Sequence, residues 1–250
     1  MKKKLFKDPE RWFAVLCVQV RFSTFDRLSL TMIGVQSRAE EMMLRHGFLG
    51  VPTLTFAKAG HRQLMALIGE GLQPEAKVLD IGCGCLRTAY WLVHFLDADG
   101  YHGIEPARQR IECGLEYLFT SEELKLKRPR FDCNPDFDSS VFNTRFDFFL
   151  AGSIWSHASK RQVGMTLDSF VRDSTAGGVF LASYLPAQSS EDDYQGDLWV
   201  GTSHESNTAG VIRHSLTSIE LQCQARGLSV NQLAGEAFDG QVWLRIRRKP

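Results

Sequence analysis

Net charge is the first thing this sequence lacks. Lys and Arg number 29 against 29 Asp and Glu, for a formal net charge of +0, so no whole-molecule field draws the chain onto DNA, RNA or an anionic membrane. That total still leaves room for a local basic patch. A long hydrophobic run is missing too: Trp12 to Val18 falls far short of the ~20 residues that a membrane-spanning helix needs. Met1-Lys2-Lys3-Lys4 imitates the start of an export signal, but Lys7, Asp8, Glu10 and Arg11 interrupt the apolar region that should follow. The six cysteines, at 17, 83, 85, 113, 133 and 223, show no paired spacing of a disulfide framework. Cys83 and Cys85 have no second pair of Cys or His nearby to complete a zinc shell, and they read as small buried side chains in a tight loop. These absences predict a soluble, cytoplasmic protein with reduced thiols and no metal, membrane or nucleic-acid partner.

What is present is a chain of 250 residues, 44% of them hydrophobic, without repeats. That is enough for one large core. From Lys77 onward strand and helix signals alternate. Lys77 to Ile81 reads as a strand, Leu86 to Leu96 as a helix, Tyr101 to Glu105 as a strand and Ala107 to Phe119 as a helix opened by Pro106. Arg130 to Cys133 and Phe146 to Ala151 are the next strands. Ser159 and Gln162 form a capping box for a helix over Lys160 to Asp173, and Val179 to Tyr184 is a further strand. A helix from about Leu216 to Arg226 and strands over Leu228 to Leu233 and Gln241 to Arg247 close the chain. Strands separated by helices imply a doubly wound, mainly parallel α/β sheet, with the last two strands forming a hairpin and one of them antiparallel to the rest. Residues 1–71 differ. Glu10 to Val20, Ser37 to His46 and Ala59 to Gly69 read as helices, which predicts an N-terminal helical cap ahead of a catalytic domain over 72–250. Gly47, Gly50 and Pro52 are candidate hinges for a lid, and Phe6, Trp12, Phe13, Phe22 and Phe25 its aromatics; a permanently docked layer would use the same residues.

Chemistry concentrates in Val78-Leu79-Asp80-Ile81-Gly82-Cys83-Gly84, a strand that runs into a D-x-G-x-G turn. The glycines let backbone approach a ligand closely, and Asp80 places a carboxylate at the turn. A G-x-G-x-x-G dinucleotide fingerprint is not met, because Arg87 stands where the third glycine should fall. Asp80 would serve a pyrophosphate poorly and a cationic amino-acid headgroup well. Glu105 ends the second strand 25 residues later, where a carboxylate can accept both hydroxyls of a ribose.

The run from Val78 to Gly84 with Glu105 resembles the first two motifs of the class I S-adenosylmethionine-dependent methyltransferases. More narrowly, Gly82-Cys83-Gly84-Cys85-Leu86-Arg87 with Tyr101-His102-Gly103-Ile104-Glu105-Pro106 looks like a branch with a G-C-G-x-L-R signature. The resemblance covers about Leu72 to the C-terminus. It implies a Rossmann-like seven-stranded sheet with an antiparallel final hairpin, and S-adenosyl-L-methionine as cofactor. Carried over by position, Asp80, Gly82, Cys83 and Gly84 line its methionine end, Glu105 and Pro106 its ribose, and Asn134 or Asp136 its adenine. Gly152 and Ser153 end the fourth strand, where the family brings donor and acceptor together. The family's third glycine is Cys85 here.

Other residues leave two readings each. Arg87 can meet the ligand carboxylate or pair with Asp80 or another acid. His157 can act as a general base or order its loop by hydrogen bonding. Trp155 and Tyr184 are core aromatics or acceptor contacts. The irregular segment with Asp192, Asp193, Tyr194, Trp199 and His204 has the length of a functional cover, and Arg245, Arg247, Arg248 and Lys249 read as a solvated strand end. The end of the fourth strand, Ala151-Gly152-Ser153-Ile154, departs from the [D/N]-P-P-[Y/F] of nucleic-acid amino-methylating enzymes. The expected reaction is methyl transfer by in-line displacement to a small molecule or biosynthetic intermediate. The alternatives are transfer or cyclisation of the cofactor's aminocarboxypropyl group, and cofactor binding without catalysis.

Overall fold

The computed structural model describes residues 24–51, 54–203 and 206–249. The expected helix Glu10 to Val20, Cys17, the aromatics Phe6, Trp12, Phe13 and Phe22, Pro52 and His204 lie outside them, as does the Phe25 side chain. Among the described residues the elements are α1 (Thr24–His46), α2 (Phe56–Gly69), β1 (Val78–Ile81), α3 (Ala89–Phe95), β2 (Tyr101–Ile104), α4 (Arg108–Leu118), α5 (Ser121–Lys127), β3 (Arg130–Asp132), β4 (Phe146–Ala151), α6 (Lys160–Asp173), β5 (Ser174–Tyr184), α7 (Leu216–Ala225), β6 (Leu228–Glu236) and β7 (Val242–Arg248).

The seven strands form one sheet in the order β3-β2-β1-β4-β5-β7-β6. β1 pairs in parallel with β2 and β4, β2 with β3 and β4 with β5, while β7 runs antiparallel to both β5 and β6. The expected doubly wound sheet and antiparallel C-terminal hairpin are therefore present. The chain leaves β1 for β2 and β3 on one side and returns to β4 on the other, so a crevice opens between the carboxyl ends of β1 and β4, where open α/β sheets bind ligands.

Strand residues alternate between two buried layers, which is why the central strands read as near-continuous apolar runs. Val78, Phe148, Leu150, Val179 and Leu181 face a cluster with α1 to α4, and Leu79, Phe149, Ala151, Phe180 and Ala182 face one with α6 and α7. Val35, Ala39 and Met42 of α1 and Leu64 and Leu67 of α2 are fully buried in the first cluster. The described helices before residue 71 thus share the sheet's own core. Gln36 of α1 accepts a hydrogen bond from the Ala57 backbone (3.2 Å), which steadies the start of α2. Arg245 and Arg247 do not end in solvent as expected: both reach Glu70 (3.3 and 3.2 Å) and tie β7 to the end of α2.

Several boundaries moved for local reasons. α3 begins at Ala89 rather than Leu86, because Gly82, Gly84 and Leu86 all take positive φ (68°, 54° and 66°) and hold the chain out of helical geometry. Leu86 sustains that costly conformation while fully buried. α5 was not anticipated, yet Thr120 and Glu123 form a capping box there, the Thr120 hydroxyl accepting from the Glu123 backbone (3.2 Å) and the carboxylate from the Thr120 backbone (2.7 Å). The same device opens α6 through Ser159 and Gln162, as expected.

Candidate functional site

A cavity of about 520 Å³ lies at the carboxyl ends of β1, β2 and β4. Asp80, Gly82, Cys83, Gly84, Arg87, Glu105 and Pro106 line one side of it, and Gly152, Ser153 and His157 another. Of the residues expected to touch the cofactor, Asn134 and its alternative Asp136 stay outside that wall.

The wall at the ends of β1 and β2 is built mostly from backbone. Gly82 turns at φ 68°, and a Cβ there would fall 2.0 Å from Ile154 Cδ1, so a larger residue would strain the turn and push the Ile154 side chain aside. The Gly84 N–H donates to one Glu105 carboxylate oxygen (3.1 Å) and the Ala107 N–H to the other (3.0 Å). Glu105 is thereby fixed at 4% exposure with its outer lone pairs free for a further donor. Arg110 stands 3.8 Å from the same carboxylate and donates to the Thr202 carbonyl (3.3 Å), and its guanidinium lies where Gly50 has no side chain.

Asp80 is the more strained acid. It is buried at 3% exposure, and its one hydrogen-bond donor among the described residues is the Tyr101 hydroxyl (2.9 Å). Burial raises its carboxyl from 3.8 to about 7, against the opposing pull of Tyr101 and of the Arg87 charge. A cation bound here would return it to the ionised form. Cys83 and Cys85 are inert by the same logic: burial pushes the first well above the ordinary thiol value and the second up to about 12.

Arg87 departs from one of its two expected readings. It makes no ion pair with Asp80, and no described residue hydrogen-bonds or ion-pairs with its guanidinium, which is held 7% exposed over the Phe238 ring at 5.5 Å. Asn134 is consumed by its own turn. Its side chain donates to Asp132 (2.7 Å) and to the Asp138 carbonyl (3.2 Å), and accepts from the Asp138 backbone (2.7 Å). Phe137, at φ 54°, is the residue of that loop that faces the cavity, while Asp136 is exposed and also away from it.

The opposite wall is assembled from scattered segments. Ser153 takes φ 66°; its backbone N–H donates to the Ser183 hydroxyl (2.7 Å), and its own hydroxyl accepts from Gln241 (2.8 Å). Ser183 in turn donates to Gln241 (2.7 Å), closing a small polar ring. Gln63 of α2 accepts from Thr88, and its amide nitrogen is buried with no partner, against the space that Gly152 leaves open. His157 stacks on Trp199 with ring centroids 5.7 Å apart, and its Nδ1 lies 2.7 Å from the Val200 carbonyl while its own carbonyl accepts from the Val200 N–H (3.0 Å). These are the bonds of a histidine that orders its loop. Burial keeps the ring's value below 6.5 despite backbone groups of Val200 and Gly210 that favour the charged form. The segment around Trp199 reaches the cavity: Trp199, Gly201, Thr202, Ala209, Gly210 and Val211 all line it. Asp193 anchors the base of that segment to Lys160 (2.8 Å) and to the Ser215 backbone (2.9 Å). Trp155 and Tyr184 are core residues, bonded to Thr166 (3.2 Å) and Gln232 (3.0 Å). Among the described residues, no group of three His, Cys, Asp or Glu could hold a metal ion, and no helix is long and apolar enough to cross a membrane.

Gln63, Arg110, Phe137, Trp199, Phe238, Asp239 and Gln241 carry no motif. Their one shared property, a place on this cavity, exists only after folding.

No family model matches the sequence. Solved structures share the fold. A DhpI–SAH complex superposes with a TM-score of 0.54 at 15% identity over 89% of this chain and 97% of that one. Magnesium protoporphyrin IX methyltransferase (ChlM) from Synechocystis PCC 6803 with bound SAH gives 0.54 at 13%, covering 88% and 99%. A S-adenosylmethionine-dependent methyltransferase from Clostridium acetobutylicum gives 0.57 at 11%, covering 86% and 98%. The architecture is thus the Rossmann-like fold of these methyltransferases, as the resemblance implied.

Proposed function

We propose that the protein is an S-adenosylmethionine-dependent methyltransferase acting on a small-molecule or biosynthetic-intermediate acceptor. The observation that carries this reading is the pair of buried carboxylates, Asp80 and Glu105, at the ends of adjacent strands on one cavity wall with a glycine turn between them. The donor set suits the cofactor. Asp80 lacks a cation and would receive the amino group; Glu105, held by two backbone N–H groups, would receive the ribose hydroxyls; Gly82, Cys83, Gly84 and Pro106 offer close backbone contact. Phe137 rather than Asn134 supplies the face for the base.

The bound cofactor supplies a methyl group on a sulfonium centre that already has a good leaving group, so the residues here have to align two reactants and exclude water. The Trp199 segment, held by Arg110 and His157, covers the cavity. The position of the His157 ring on the cavity wall supports a second role for it, as the group that removes a proton from the acceptor. With the Nδ1–H spent on the Val200 carbonyl, the neutral ring presents Nε2 as its lone-pair nitrogen. Acceptors that keep their proton until attack need such a group, and others do not.

Incubation with S-adenosylmethionine and a cell extract, followed by mass spectrometry, tests the reading. Accumulation of S-adenosylhomocysteine is expected. Methylthioadenosine in its place would mean that the aminocarboxypropyl group moves, and no cofactor-derived product would contradict catalysis altogether.

A further inference from the structure

A second cavity of about 250 Å³ opens beside the first, and the two share Arg87, Phe238 and Asp239 as a common wall. Its outer side is the start of α2, with Thr55, Lys58 and Arg62 on the lining. Three cations therefore meet one carboxylate, Asp239. None of the three is hydrogen-bonded or ion-paired to any described residue, and Arg87 is more than nine-tenths buried. An unpaired charge that deep is costly unless something neutralises it.

The placement of Lys58 and Arg62 runs against local preference in two ways. They stand four residues apart on one helix face, where like charges repel, and in its first two turns, where the helix dipole disfavours cations. The first turn holds no acidic residue, and the Thr55 side chain makes no capping bond. A helix start arranged in this way is poor for folding and well suited to receiving an anion.

We infer that this cavity is the oxyanion subsite of the acceptor, so that the substrate carries a carboxylate or phosphoryl group held by Lys58, Arg62 and Arg87 while its reacting atom lies in the larger cavity. This rests on the methyltransferase reading for the word acceptor, but the anion site itself does not. The same charges could instead serve the cofactor's own carboxylate, and the test separates the two.

Binding of inorganic phosphate and of acetate to the full chain, free and saturated with S-adenosylhomocysteine, is followed by calorimetry and by the displacement of backbone amide resonances at 55–62. Phosphate or acetate is expected to bind the saturated protein at a saturable site, more weakly as salt rises. The exposed pair Lys58→Gln and Arg62→Gln should weaken that binding about tenfold or more, leave the S-adenosylhomocysteine dissociation constant within about twofold, and leave the melting temperature unchanged or raised. Absence of saturable anion binding, or binding undiminished in the double variant, overturns the inference. So does loss of S-adenosylhomocysteine affinity in that variant together with competition between the two ligands, which would give the cations to the cofactor. Anion binding to a protein that takes no S-adenosylhomocysteine would sink the cofactor reading and leave the anion site standing.

Discussion

The two walls of the cavity are built on different principles. The wall proposed for the donor is contiguous: β1, the glycine turn and the end of β2 occupy residues 78–106, and most of what a ligand would meet there is backbone, steadied by Gly84 and Ala107 on Glu105. The facing wall gathers residues from 48–51, Gln63, Phe137, the segment around Trp199 and the 238–241 turn; some of its polar groups bond one another, as in the ring of Ser153, Ser183 and Gln241, while the Gln63 amide nitrogen is left without a partner. A wall of backbone admits few changes and recognises one ligand. A wall of loops can be re-lined for many acceptors, which is how one fold hosts different substrates.

Asp80→Asn strikes the donor wall hardest and should separate binding from stability. Because burial raises the folded carboxyl to about 7, the protonated form is favoured in the empty protein; the stability contributed is complete below the ordinary 3.8 and lost as pH rises through about 7. At pH 8 the amide variant should therefore be more stable than the parent, by up to about 4 kcal/mol at 1.36 kcal/mol per pH unit, and melt at a higher temperature, while losing affinity for S-adenosylhomocysteine. Thermal melts from pH 4 to 8 check this, and a variant less stable than the parent at pH 8 would show that Asp80 is already compensated. The same titration gives cofactor binding the opposite slope, strengthening as pH climbs through 7.

His157→Ala tests the opposite wall. Turnover on a protonated acceptor should fall by ~10² or more while cofactor affinity holds, and amides at 199–212 should exchange faster. An unchanged rate with faster exchange would leave loop ordering as the residue's whole role.

The smallest effect concerns the segment before the sheet. Because α1 and α2 are buried in the sheet's core, we expect S-adenosylhomocysteine to slow hydrogen exchange at 47–51, whose Phe48, Leu49, Gly50 and Val51 line the cavity, and to leave the interior of α1 unchanged. Uniform slowing across α1 would mean that the helical cap moves as a lid.

How much of each wall could be read beforehand follows from the same difference. The donor wall was legible because strand, glycine turn and acid lie in register along the chain, and the alternation of elements fixed the sheet that presents them. Its exceptions are local: Leu86 accepts a left-handed turn that no pattern announces, and Asn134, a short polar side chain beside Pro135, satisfies its own loop instead of a ligand. The Thr120 to Glu123 capping box was readable and marks α5 plainly. Gln63, Arg110 and Gln241 could not have been found, because what makes them part of a site is a neighbour far away in sequence. Arg87 was visible; that no described acid forms an ion pair with it was not.

The central claim, a cofactor held between Asp80 and Glu105, is tested most directly by titrating S-adenosylhomocysteine into the parent and Glu105→Ala proteins in a calorimeter at pH 8. One site per chain is expected in the parent. Removing two hydrogen bonds to a charged acceptor, at about 1.5–3 kcal/mol each, should weaken binding by more than about a hundredfold. A parent protein that takes up no ligand, or a variant that binds as tightly as the parent, would contradict the account.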